Sequence, residues 1–108
     1  HMDECMVWQQ FKEGDQKALA SIFSYHYSDL FRYGMRLLNN EDVVKDCIQN
    51  LFEKLWNCRQ KIGHIQSVKP YLLKALRHHI FNEKNYIQQR THFHTNYCKE
   101  YNFTSSYE

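Results

Sequence analysis

The most constraining feature of this 108-residue sequence is the stretch from Asp46 to Trp56, DCIQNLFEKLW. Its apolar residues recur at the i, i+3, i+4, i+7 spacing of an amphipathic helix. The polar residues fall on the opposite side at the same spacing. The apolar side predicts a helix that packs on a core. The polar side is either a solvated surface or a contact stripe for a partner.

The same period recurs in two other segments, so we predict main helices at about residues 16–38, 41–59 and 68–89. A short apolar helix around Trp8 and Phe11 precedes them, and Asp15 and Asn40 are suitable N-caps. The sequence has only three Gly and one Pro, which favours long helices with short connections. The predicted fold is all-α, a small bundle of three main helices plus a short N-terminal helix. Phe52 and Trp56 are predicted to be largely buried between the first and third main helices.

The domain organisation is predicted to be simple, because 108 residues suffice for one small domain. Residues 1–2, His-Met, are interpreted as an expression scar. Residues 3–90 are predicted to form the helical domain. Residues 91–108 are polar and aromatic without a clear period, and we interpret them as a linker or tail.

Cysteine spacing and hydropathy indicate the cellular compartment of the protein. The four cysteines form no C-x-x-C pair and no evident disulfide framework, which predicts free thiols in a reducing cytoplasm. No apolar run approaches the roughly 20 residues that span a bilayer, so no membrane insertion is expected. The predicted location is cytoplasmic.

Charge is distributed unevenly along the chain. Residues 1–56 hold six Lys or Arg and nine Asp or Glu, whereas residues 57–90 hold seven Lys or Arg and one acid. Aromatic residues are interleaved with the basic ones in the second range. Basic side chains neutralise phosphates and aromatic rings stack on exposed bases, so this range indicates a polyanionic partner or else a solubilising surface.

Catalytic and metal chemistry find little support in the sequence. There is no nucleophile–base pair, Gly-rich phosphate loop or recognisable carboxylate pair, so no enzyme activity and no cofactor are predicted. His92, His94 and Cys98 form an H-x-H-x₃-C cluster, but no fourth ligand is placed and no metal site is predicted.

Three stretches in order carry a family resemblance: FKEGDQKALASIFSYHYSDLFRYGMRLL, DCIQNLFEKLW and SVKPYLLKALRHHIFNEK. Together they resemble the N-terminal region-two domain of bacterial extracytoplasmic-function sigma factors, over residues ~8–90. The resemblance implies a transcription initiation factor domain that binds core RNA polymerase and recognises the melted promoter −10 element.

The resemblance also implies site residues, carried over by position. The polar side of the second main helix would dock on the clamp helices of the largest polymerase subunit through Asp46, Gln49, Asn50 and Glu53. The following loop would hold a flipped base of the non-template strand, which implicates Arg59, Lys61, His64 and Gln66. The third main helix would contact backbone and bases through Lys69, Tyr71, Lys74, Arg77 and His78. His78 stands where the family commonly has Asn.

Two further expectations follow from the resemblance. An anti-sigma factor is expected as a partner, and residues 91–108 would lead toward a C-terminal helix-turn-helix domain that this sequence lacks. Two alternatives from the residues stay open: a stand-alone helical module that reads duplex DNA, and a protein-interaction module without polymerase whose basic surface is only solvated.

Overall fold

The computed structural model describes the backbone of residues 3–89 and the side chains of residues 3–83. Within this part the chain forms four α-helices: α1 (Glu4–Lys12), α2 (Gln16–Leu37), α3 (Glu41–Asn57) and α4 (Val68–Gln89). A 3₁₀ turn (Arg59–Lys61) lies in the α3–α4 loop, and the described residues contain no strand. The all-α prediction is confirmed. Predicted helix bounds hold within two residues, since α3 ends at residue 57 rather than 59.

Side-chain caps define where the helices begin. Asp15 Oδ1 accepts a hydrogen bond from the backbone N–H of Lys17 at 2.9 Å, and Asn40 Oδ1 accepts one from Val43 at 3.2 Å. Asp3 caps α1 in the same way. Each cap satisfies a donor at the helix start and typically contributes about 1 kcal/mol.

The core lies where the four helices meet. Phe52 is only 5% exposed, which confirms its predicted burial. Helix α1 joins α4 through an edge-to-face contact of Trp8 with Tyr71, whose ring centroids are 5.7 Å apart. The larger fully buried side chains come from all four helices and the α3–α4 loop: Phe11, Ile22, Leu30, Ile48, Leu51, Leu55, Ile62, Leu72, Leu76 and Ile80.

Two glycines have a defined structural role. Gly14 joins α1 to α2 with a φ of 103°, a conformation that residues with a Cβ rarely adopt. Gly34 of α2 is buried against α3, and a Cβ there would lie 2.6 Å from Val44 Cγ1. The second glycine therefore allows α2 to pack closely against α3 at this position.

We expect Gly34→Ala to lower the free energy of unfolding by about 1–2 kcal/mol. The overpacking cost of about 1–3 kcal/mol should exceed the gain of up to about 1 kcal/mol in helix propensity. Urea denaturation measures the change. In a Val44→Ala background the new methyl group has room, so there the same substitution should be neutral or stabilising. An equal effect in both backgrounds would contradict this close contact.

Candidate functional site

The polar side of α3 forms one exposed surface, which we call the polar stripe: Asp46, Gln49, Asn50 and Glu53. Opposite it, the apolar positions of the same helix are buried. No stripe residue forms an ion pair with another residue of the described part of the chain. The nearby Lys45 is paired with Glu41 at 3.0 Å. The stripe thus presents two carboxylates and two amides to solvent.

Trp56, near the C-terminal end of α3, is partly buried. It packs against the core, and its ring is tilted against Phe11 at a centroid distance of 6.5 Å. The Arg59 guanidinium stacks on the Trp56 ring, 4.0 Å from its centroid. Trp56 therefore packs on the core, although it is less completely buried than Phe52.

Arg59 ties the α3–α4 loop to the end of α3. Besides stacking on Trp56, its Nη1 donates a hydrogen bond to the Trp56 carbonyl oxygen at 2.8 Å. The side chain is half-buried rather than extended into solvent. This geometry suits a residue that positions the loop, and it leaves Arg59 less available for a direct contact with a ligand.

The rest of the α3–α4 loop packs on the core through its apolar side chains and exposes its polar ones. Ile62 is 2% exposed, and its carbonyl oxygen accepts a hydrogen bond from Lys12 Nζ of α1. Ile65 packs against the core. The remaining predicted loop contacts are all exposed: Lys61, His64 and Gln66. The loop therefore presents several polar side chains from a fixed backbone.

The predicted α4 contacts do not share one side of the helix. Lys69 faces α2, where its Nζ lies 3.2 Å from Asp29 Oδ2. Tyr71 is half-buried against Trp8 of α1, and burial raises the pKa of its hydroxyl. Residues two positions apart on a helix point about 200° from each other, which explains the separation.

Lys74, Arg77 and His78 remain together on α4, and we call them the basic face. Lys74 and Arg77 are exposed and His78 is half-exposed. The Arg77 guanidinium lies 4.9 Å from the ring centroid of Phe81, which is 37% exposed. Phe81 was not among the predicted contacts. Its position four residues after Arg77 was the signal that pointed to it.

The two adjacent histidines of α4 differ in burial, with His78 near the surface and His79 in the core. His79 is 6% exposed, and burial lowers its pKa to about 4, with smaller contributions from the charges of Lys54 and His78. No group of three His, Cys, Asp or Glu among the described residues could hold a metal ion. The cluster of His92, His94 and Cys98 lies outside the described residues.

Two of the four cysteines follow the free-thiol prediction. Cys5 and Cys47 carry free thiols, the first exposed and the second buried. Cys58 is buried at the C-cap of α3, and Cys98 lies outside the described residues. None of the helices in the described range 3–89 is long and apolar enough to cross a membrane.

Comparison with protein families shows which family this chain belongs to. The family described as Sigma-70 region 2 matches residues 22–91, more than half of the 108-residue chain. The chain belongs to the Sigma-70 region 2 family. The match contains the polar stripe, the α3–α4 loop and the basic face. No curated protein and no solved structure matches the chain.

Membership of the Sigma-70 region 2 family indicates the general role of the domain that carries these surfaces. The family consists of non-catalytic transcription factor domains that bind core RNA polymerase and act in promoter melting. The match begins inside α2 at residue 22, so α1 and the first turns of α2 lie outside it. The region 2 domain thus carries an acidic and amide surface on α3 and a basic surface on the loop and α4.

Proposed function

We propose that this chain is the region-two domain of an extracytoplasmic-function sigma factor. It joins core RNA polymerase to the melted −10 element of a promoter. The observation that carries the proposal is the separation of two exposed surfaces within the family match, the polar stripe on α3 and the basic face on α4. Residues 3–90 would form this domain, and residues 91–108 would lead to a second, promoter-binding domain.

The polar stripe supports the polymerase side of the proposal. Its four side chains are exposed, and its two carboxylates are free of ion pairs with other described residues. A protein surface rich in Lys and Arg would complement it, and such complementarity chiefly sets orientation and association rate. We assign the clamp helices of the largest polymerase subunit as that surface.

The α3–α4 loop and the basic face support the DNA side. Lys74 and Arg77 can neutralise phosphates, and Phe81 beside Arg77 can stack on an unpaired base. Lys61, His64 and Gln66 extend from the fixed loop and can surround an extruded base of the non-template strand. His78 belongs to the basic face and can contribute to base preference.

Three residues predicted to contact DNA take other parts in this proposal. Arg59 positions the loop through its contacts with Trp56. Lys69 is paired with Asp29, and Tyr71 packs on Trp8. We therefore expect substitutions of these residues to act on DNA binding through the shape of the domain.

An anti-sigma factor is the second protein partner that we propose. A regulator that covered the polar stripe would prevent polymerase binding, since both would need the same exposed side chains. Because RNA polymerase and its promoters are cytoplasmic in bacteria, we assign this protein to the cytoplasm.

Removing two cations of the basic face tests the DNA assignment. We expect Lys74→Ala with Arg77→Ala to weaken binding of single-stranded DNA by the reconstituted holoenzyme. The slope of log affinity against log salt should fall by about 1.4, since each phosphate contact on a single strand contributes about 0.7. Fluorescence anisotropy over a salt series measures both quantities.

The matched control removes two exposed cations of α2, Lys17→Ala with Arg36→Ala, with the same change in net charge. This control should keep the salt slope of the unmodified chain. If the Lys74 and Arg77 variant also keeps it, the basic face does not meet the DNA and the proposed orientation of α4 is wrong.

A further inference from the structure

A groove lies between the first half of α2 and the second half of α3, with a volume of about 610 Å³. Its apolar lining comes from Leu19 and Phe23 of α2 and from Phe52 and Trp56 of α3. Both α2 residues lie at core-type positions of the helical period. They are only partly buried, because no other described helix covers this side of the pair.

The groove is preformed by aromatic contacts. Phe23 and Phe52 meet edge to face with ring centroids 5.0 Å apart. Arg59 stacks on Trp56 and holds this lining ring in place. Concave sites lined by fixed aromatic side chains are where interfaces concentrate their binding energy. The geometry is therefore that of a pocket for an apolar anchor.

The groove is continuous with the polar stripe, because Gln49 and Glu53 belong to both. Glu53 is the one charged residue in its lining, and no Lys or Arg of the described residues lines it. Exposed polar pairs each contribute only about 0–1 kcal/mol. A stable complex on the stripe therefore needs an apolar contact nearby, and the groove offers one.

We infer that the α2–α3 groove receives an apolar side chain from the helical segment of core polymerase that binds the polar stripe. The occupant is an amphipathic helix whose apolar anchor is flanked by Lys or Arg, which face Glu53 and Asp46. The inference rests on the proposed function. It adds Leu19, Phe23, Phe52 and Trp56 to the polymerase contact, with the polar stripe setting orientation.

Filling the groove tests this inference without removing a core side chain. Ala20 lies in the groove lining and is exposed, so Ala20→Phe should occupy the pocket while the helix remains intact. We expect affinity for purified core polymerase to fall by about tenfold or more, as for loss of an interface anchor. Ala20→Arg should weaken binding as well, by placing a cation opposite the basic partner.

Ser21→Phe is the matched control. Ser21 is exposed, lies outside the groove lining and points about 100° away around α2. It should bind core like the unmodified chain, and circular dichroism should give all variants the same helicity. The inference is overturned if Ala20→Phe and Ala20→Arg bind normally, or if Ser21→Phe weakens binding equally.

The test separates this inference from the proposed function. If the groove variants bind core normally while charge reversal of the polar stripe prevents binding, the groove assignment fails and the proposed function stands. If the unmodified chain does not bind core polymerase, the proposed function fails and the groove assignment falls with it.

Discussion

Asp46→Arg together with Glu53→Arg is expected to abolish capture of core RNA polymerase while the fold remains intact. Both side chains are exposed and make no ion pair with other described residues, so little intramolecular energy depends on them. Surface substitutions of this kind usually change stability by about 0.5 kcal/mol or less. Opposite a basic partner, however, each reversal replaces attraction with repulsion, and like charges across an interface cost several kcal/mol.

Pull-down with purified core polymerase measures the loss, and thermal melting measures the fold. A control adds the same positive charge elsewhere, with Glu13→Arg, Ser21→Arg and Ser28→Arg at exposed positions of the loop before α2 and of α2 itself. The control should still capture polymerase. Retained capture by the stripe variant would mean that the stripe is only a solvated helix surface.

Acid should destabilise the domain through His79. Its folded-state pKa is lowered to about 4 by burial, from an ordinary value of 6.5. As the pH falls from about 6.5 toward 4, the unfolded chain binds a proton that the folded chain does not, so the free energy of unfolding decreases. The lowered pKa of His79 corresponds to about 3 kcal/mol in the free energy of unfolding. This contribution is fully present above pH 6.5 and is lost as the pH approaches 4.

Urea unfolding at a series of pH values tests this expectation. His79→Gln removes the titrating group, so the decrease in stability between pH 6.5 and 4 should become smaller by about 3 kcal/mol. His64→Gln is the control, because His64 is exposed in the α3–α4 loop. An identical pH dependence for the His79 variant and the unmodified chain would show that the buried imidazole does not control acid stability.

Local sequence signals were sufficient to predict the helices. Asp15 and Asn40 mark helix starts, and their capping hydrogen bonds are present. The apolar period of α3 identified which residues are buried, with Val44, Ile48 and Leu51 each fully inaccessible. The same period placed the polar stripe on the exposed side, because opposite sides of one helix follow from helical geometry alone.

Contacts between helices were not predictable in this way. Tyr71 and Lys69 both belong to the basic stretch of the sequence, yet Tyr71 packs on Trp8 and Lys69 pairs with Asp29. The period fixes a direction around one helix axis, but the neighbour in that direction depends on how helices cross. Phe23 shows the same limit, since its core-type position opens into the groove.

The most direct test of the two-surface proposal is selection from DNA libraries with a randomised centre, in single-stranded and duplex form. The libraries are offered to the chain alone, to core polymerase alone and to both together. We expect sequence-specific enrichment only from the single-stranded library and only when the chain and core are both present. Enrichment of a duplex sequence by the chain alone, unchanged by core, would contradict the proposal and identify an independent DNA-binding module.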